Sequence, residues 1–313
     1  MNRKVVSYVF FSAFIFSTME VALKIGGGSF DPLQITLIRF FIGGLVLLPL
    51  ALDDLRKRQV SLTRGDYGYL AFLGILCICV SMLFFQFGVM YSHASTAAVV
   101  FSVNPMFTML FAHFFTEEKL NRRKVMALAV SLGGIAVMMN PFHLAEGNTV
   151  RGMVCIVMAA LTFGLYSAAG KLRIKRLGGF TQTSVSFILG SAVLAVLMGF
   201  MGRPVISGIS AANVPILLYV GVVVTGIGYL LYFKAIEAGG AAKASVVFFI
   251  KPMIAPVIAL VILHEAITLQ TVTGVGILLI GSYINMTDNS GAAAPEGGDT
   301  DGDGHEDADR RAG

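Results

Sequence analysis

One segment occurs twice, and it constrains the fold more than any other feature of the chain. Residues 94–118 read ASTAAVVFSVNPMFTMLFAHFFTEE, and residues 241–265 read AAKASVVFFIKPMIAPVIALVILHE. The two align without a gap at an offset of 147 positions, with nine of 25 residues identical, among them Pro105/Pro252, Met106/Met253 and Glu118/Glu265. Apolar identities come easily in a hydrophobic chain; a proline and a glutamate held in one frame do not. The same offset aligns Gly74 with Gly221, Gly134 with Gly281, Phe16 with Phe163 and Lys24 with Lys171. The chain therefore reads as two homologous halves, 1–141 and 152–287, each carrying this segment as its fourth element. A tandem repeat of this kind decides the architecture.

What the halves are made of follows from hydropathy. Of 313 residues, 56% are hydrophobic and 13% charged, where soluble domains carry about 25% charge. That is too little charge to cover a soluble surface. Ten apolar segments can be counted: 5–24, 33–52, 68–90, 94–115, 123–140, 152–170, 181–200, 213–236, 242–263 and 269–286. Such runs have the length of membrane spans. In lipid only helices or closed barrels satisfy the backbone, and no period-two alternation is present. The expected fold is an all-α integral membrane protein of ten transmembrane helices. The opening MNRK and its apolar run imitate a signal peptide, but without a small-x-small cleavage site they read as an uncleaved first helix.

Lysine and arginine set the orientation. With the N-terminus inside, the inner loops hold Arg3, Lys4, Arg56, Lys57, Arg58, Arg64, Lys119, Arg122, Arg123, Lys124, Lys171, Arg173, Lys175 and Arg176; the outer side holds Lys24, Arg151 and Arg203. Positive residues mark cytoplasmic loops, so both termini are expected in the cytoplasm. Five helices per half is an odd number, so the second half enters the bilayer inverted. Inverted repeats are a recurring plan of secondary transporters, with the substrate site near the midplane between them. The net charge of +5 is spread over these loops and does not point to nucleic acid. Residues 288–313 hold no apolar run and are expected to be a disordered acidic tail. Within the tail, Asp299, Asp301, Asp303 and Gly304 imitate the start of a calcium loop, but the twelfth position is Arg310 where a glutamate is needed. No metal is expected there, and His305 reads as a solvated residue.

Ionisable groups inside a bilayer are costly and are functional candidates by default. Glu20, Arg39, Lys251 and His113 fall inside apolar runs, with Asn104 as the repeat counterpart of Lys251. Asn104 and Lys251 each precede a proline. A proline inside a helix removes a hydrogen bond and bends the chain; Pro105 frees the carbonyl of Phe101, Pro252 that of Phe248, and Pro256 adds a second break. Bent helices beside polar side chains at midplane depth suit a substrate site, with Pro105, Pro252 and Pro256 as hinges. The plainer alternative is that the prolines only shape packing and Lys251 pairs with a carboxylate. Glu20 and Arg39 fall at similar depth on consecutive helices. They read as an ion pair joining helices 1 and 2, or as a proton-coupling pair, with Lys24 as another partner for Glu20. Glu118 and Glu265 end their helices at opposite faces and suit acceptance of loop N–H groups.

Gln86, Tyr166, Tyr229 and Tyr232, with Ser17 and Ser167, supply the polar and aromatic groups a small-molecule cavity needs, although each alone fits a core equally well. The glycine patches Gly43-Gly44, Gly133-Gly134, Gly226-x-Gly228 and Gly274-x-Gly276 allow close helix approach. Cys77, Cys79 and Cys155 lie in apolar runs without metal-ligand spacing and read as inert. No GxSxG, HExxH or P-loop pattern occurs, so no catalytic residue, cofactor or enzyme activity is expected.

The five-plus-five arrangement, TLIRFFIGG in helix 2, AAVVFSVNPMFTMLFAHFFTEEKL in helix 4 and ASVVFFIKPMIAPVIALVILHEAIT in helix 9 together resemble the drug/metabolite transporter superfamily, EamA type, over residues 5–286. The resemblance implies a polytopic inner (plasma) membrane carrier working by alternating access. Such proteins mostly export metabolites, amino acids or toxic compounds, so the cargo stays unnamed. The combined expectation is a secondary exporter of a small polar or amphipathic metabolite, amino-acid-like or drug-like. Asn104, Lys251, Gln86, Tyr166, Tyr229 and Tyr232 would contact the substrate. Lys251 hints at an anionic group on the ligand or at an internal counter-charge. The lipid bilayer is an obligate partner, protons are the candidate coupling ion, and a homodimer is left open. The alternative is a non-transporting membrane scaffold or sensor; its signature, large ordered loops, is missing.

Overall fold

The structure is a computed structural model that describes residues 2–117, 119–139 and 147–286. Glu118, the calcium-like run at 299–310, His305 and the rest of the tail at 288–313 lie outside the described residues. All regular elements among the described residues are helical. Seven helices among them are long and apolar enough to cross a membrane: α1 (Arg3–Gly27), α2 (Pro32–Arg58), α3 (Arg64–Met90), α4 (Ala94–Phe115), α6 (Val150–Gly170), α7 (Gly179–Phe200) and α8 (Val214–Gly239). Shorter helices complete the pattern: α5 (Arg122–Met138), α9 (Val247–Leu263) and α10 (Leu269–Met286). Single turns at Ile174–Leu177 and Ala241–Ala244 lead into α7 and α9.

Local chemistry explains the helix ends. Asp31 caps α2 by accepting from the Leu33 N–H at 2.9 Å, with Pro32 in the first turn, and the helix closes on Arg56, Lys57 and Arg58 before a left-handed Gln59. Anions near the start and cations near the end both suit the helix dipole. Thr63 and Asp66 form a reciprocal capping box at the start of α3. Asp66 is buried there and also binds Arg173, at 2.8 Å, and Arg176 from the segment between α6 and α7.

Equivalent helices of the two halves meet one another. α2 packs on α7, α4 on α9 and α5 on α10. Each of these pairs is antiparallel. The Thr181 hydroxyl donates to the Ala51 carbonyl and that of Ser184 to Gly44. Glu265 meets Ala94 while Lys251 lies over Phe101. Gly134 touches Leu278, and its repeat partner Gly281 touches Ser131, itself the partner of Leu278. The remaining large contacts also exchange when the halves are swapped: α1·α8 with α6·α3, α1·α9 with α6·α4, and α2·α8 with α7·α3. Only a two-fold axis perpendicular to the helices produces that set. Close approach is built in where it is needed. A Cβ on Gly74 would lie 2.2 Å from the Ser186 carbonyl oxygen, so α3 and α7 touch backbone to backbone.

Several helices are interrupted at the depth of the axis. α1 pauses at Thr18, whose hydroxyl donates back to the Ile15 carbonyl and meets the Tyr219 hydroxyl, both at 2.7 Å. α3 and α8 widen into π-type turns at Ile75–Met82 and Tyr219–Ile227, overlapping positions of the repeat. Such turns concentrate at functional sites, and the sequence pattern does not reveal them. α4 divides into Ala94–Phe101 and Asn104–Phe115, so its proline sits in the first turn of a new helix. α9 instead carries Pro252 and Pro256 within one helix.

Candidate functional site

A cavity of about 760 Å³ lies between the halves. Its mouth is formed where α2, α6, α8 and α10 end and α5 begins, beside Asp54, Arg58, Lys124, Lys175, Glu237 and Asn285. The opposite end of the bundle is closed by polar contacts between helices. Lys24 donates to the carbonyls of Val89, at 3.1 Å, and of Ser92. Glu265 accepts from the backbone N–H of Ala94 at 2.8 Å and of Ser95 at 3.0 Å, and from the Ser95 hydroxyl at 2.8 Å, with the His93 ring at 3.4 Å. It thereby satisfies the first N–H groups of α4, which have no partner within the helix. The expectation that Glu265 accepts N–H groups is met, and the helix it serves belongs to the other half. Lys24 is a latch of this closed end and not a partner of Glu20.

Deep in the bundle, Lys251 Nζ lies 2.6 Å from Glu20 Oε1, with the side chains 4% and 1% exposed. Lys251 also faces the Phe101 ring at 5.4 Å and lies on the cavity wall. The pairing corrects the expectation of a Glu20–Arg39 bridge. After Thr18 the chain of α1 runs against α3, α4 and α9 more than against α2. Helices consecutive in sequence are here poor neighbours in space, and the second half delivers the cation that reaches Glu20.

Arg39 is left on the wall without a carboxylate. It is 1% exposed, its terminal nitrogens face the sulfurs of Met19 at 3.8 Å and Met82 at 3.4 Å, and its Nε has no hydrogen-bond partner. Its guanidinium also stacks 4.2 Å from the centre of the Phe40 ring. Phe40 in turn meets its repeat counterpart Phe187 edge to face at 4.7 Å. Neither methionine stood out in the sequence, because a methionine in an apolar run reads as core filling.

Asn104 uses its amide locally. Its Nδ2 donates to the Phe101 carbonyl at 2.8 Å, the carbonyl that Pro105 leaves without an N–H partner. The side chain thus repairs the break its neighbour makes, and still borders the cavity. Tyr166, Tyr229, Tyr232, Ser167 and Pro105 also line the cavity. Phe163 packs on Tyr166 and Phe16 on Tyr229, so aromatic rings from both halves wall the space. Gln86 does not line it. It is fully buried beside Gly27 with both amide atoms unpartnered, because the π-type turn in α3 changes which face the following residues present. Pro252 and Pro256 lie behind the wall, Ser17 is turned onto the Ala13 carbonyl, and His113 is exposed on the outside of the bundle. Mouth residues such as Lys124 and Lys175 were legible only as topology signals.

Residues 3–140 and 150–287 each match the EamA-like transporter family. An uncharacterized transporter of Clostridium kluyveri is 38% identical over 291 residues, covering 91% of this chain and 94% of that protein. An uncharacterized transporter of Archaeoglobus fulgidus is 25% identical over 263 residues, covering 84% and 91%. A protein crystal structure shares the fold with a TM-score of 0.64 at 16% identity, over 91% of this chain and 96% of its own.

Proposed function

Because the chain belongs to the EamA-like transporter family, a family of membrane transporters, we propose that it is a secondary carrier that exports a small amphipathic metabolite by alternating access. The observation that carries this reading is the cavity: it lies between two counter-running halves, opens at one end and is latched at the other. In a carrier that is one of two states that the two-fold axis interchanges. The other requires the Glu265 and Lys24 contacts to part and the mouth to close. The break at Ser102–Val103 and the paired π-type turns offer the places for bending.

All ten helices cross the plasma membrane in this reading, α5, α9 and α10 included. The mouth carries Arg58, Lys124 and Lys175 and so faces the cytoplasm with both termini. A cytoplasmic opening loads cargo from inside, which favours export. Aromatic walls suit an apolar body, and Arg39 suits a polar head, with the paired Lys251 and Asn104 also on the wall.

The test is an untargeted comparison of metabolites released by cells with and without the protein, followed by flux of the enriched compound in proteoliposomes. Release of a compound class that depends on the protein and is lost in Lys251→Ala, with membrane insertion intact, is the expected result. Indistinguishable release, and no flux of any enriched compound, would remove the carrier reading.

A further inference from the structure

We infer that the cargo is a small organic monoanion, a carboxylate on an apolar or aromatic body, and that Arg39 is the group that holds its charge. The inference rests on the carrier reading of the cavity and adds the substrate class. Three charged side chains sit at the deep end: Glu20, Lys251 and Arg39. Glu20 and Lys251 neutralise each other at 2.6 Å. Arg39 remains as one full positive charge on the cavity wall, 1% exposed, with no carboxylate in ion-pair range among the described residues. A guanidinium has five donors. Here two nitrogens meet only thioether sulfurs, which accept weakly, and the Nε meets no acceptor at all. Glu20 acts electrostatically on Arg39 as well as on Lys251, so the three groups together leave one net positive charge, which is expensive in the membrane interior unless something compensates it. A ligand anion entering the cavity supplies the missing acceptor.

The mouth points the same way. It holds Arg58, Lys124, Lys171 and Lys175 against two acids, Asp54 and Glu237. Asp54 is already taken by Arg58 at 2.7 Å, and Glu237 by Lys234 at 2.9 Å. The approach is therefore a positive funnel leading to a positive end, which concentrates anions. The chemistry also selects among anions. The planar fork of arginine matches a carboxylate in a bidentate pair. A doubly charged phosphate would call for a second uncommitted cation, and Lys251 is committed to Glu20. An amino acid would need a carboxylate for its ammonium group, and Glu20 is held by Lys251. The rest of the wall, Phe40, Phe101, Phe163, Tyr166, Tyr229 and Tyr232, takes the apolar body.

The test measures equilibrium binding to the full chain in lipid nanodiscs by calorimetry. The probes are benzoate, phenylacetate and hippurate, each against its own amide, with phenylalanine and phenethylamine as zwitterion and cation. At least one acid should bind roughly ten- to a hundredfold more tightly than its amide, the worth of one charge-assisted contact. Phenethylamine should bind least. In Arg39→Gln the acid and the amide should converge, and Arg39→Lys should keep part of the difference. The acid–amide comparison is made on the unaltered protein, so it stands whether or not the variants fold. If no acid outbinds its amide, or if the amine or the zwitterion binds best, the inference is overturned. Protein-dependent export of a neutral or cationic compound would overturn it while leaving the carrier reading intact.

Discussion

Lys251→Met removes the cation from a pair whose members are 4% and 1% exposed and 2.6 Å apart. Glu20 is then a buried charge without its partner. Removing one member of a buried pair costs about 3–5 kcal/mol, whereas replacing both by apolar or neutral groups is often close to neutral. At roughly 2 °C per kcal/mol for a large chain, the single variant should melt about 6–10 °C lower. Glu20→Gln should lose a similar amount, and Glu20→Gln/Lys251→Met should regain most of it. Melting is followed in one detergent by the loss of the monodisperse peak on size exclusion, and the four proteins form a double-mutant cycle. Additive losses in the double variant, or single variants that melt with the parent, would refute the pairing. Flux in the same four proteins separates two roles. A double variant that is stable and fully active leaves the pair purely structural. One that is stable and inactive shows that the charges serve the transport cycle.

Asn104→Ala should destabilise the fold by about 1–3 kcal/mol, because the Phe101 carbonyl loses its donor. Asn104→Ala/Pro105→Ala should recover part of that loss in the same melting assay, since residue 105 then has an N–H to offer. Gly74→Ala should fail to give monodisperse protein, as the new Cβ would stand 2.2 Å from the Ser186 carbonyl oxygen and 2.7 Å from the Gly190 nitrogen. Gly133→Ala, with nothing within 4 Å of its new Cβ, should melt with or slightly above the parent by about 0.5–1 kcal/mol. Glu265→Gln should loosen the closed end. Ser92→Cys, placed in a chain lacking Cys77, Cys79 and Cys155, should then react faster with an impermeant maleimide added from outside, given the proposed orientation.

The fold was legible to the extent that it depends on periodicity and duplication. The frame that aligns Pro105 with Pro252 also aligns Gly134 with Gly281, and the latter pair does meet reciprocal partners across the axis. Hydropathy located the helices, but it assumed each to be a plain rod. The π-type turns in α3 and α8 leave no mark in composition, and the face of Gln86 was lost with them. Neighbourhood was the other hidden quantity. Depth alone made Arg39 the natural partner of Glu20, whereas α1 and α2 barely touch. Which carboxylate meets which cation is set by packing across the two halves, and no spacing within one half encodes it. Asn104 reads in the sequence as a substrate contact, whereas its visible bond is to the Phe101 carbonyl beside its own helix.

The scaffold is two-fold, but the site is not. Under the same offset, Arg39 corresponds to Ser186, Glu20 to Ser167, and Lys251 to Asn104. The two methionines that face Arg39, Met19 and Met82, correspond to Tyr166 and Tyr229. One side of the axis thus presents a guanidinium among sulfurs, and the other presents hydroxyls. A duplicated frame supplies two equivalent ways to open, which a carrier needs. A duplicated site would give its ligand two equivalent poses and no preferred one. Symmetry is broken at these cavity positions, while Phe40 and Phe187 keep it where they meet each other. On the proposed reading this asymmetry is the specificity: it sets the anionic head against Arg39 and turns the apolar body toward Tyr166 and Tyr229, so that the same pose is presented whichever end of the bundle is open.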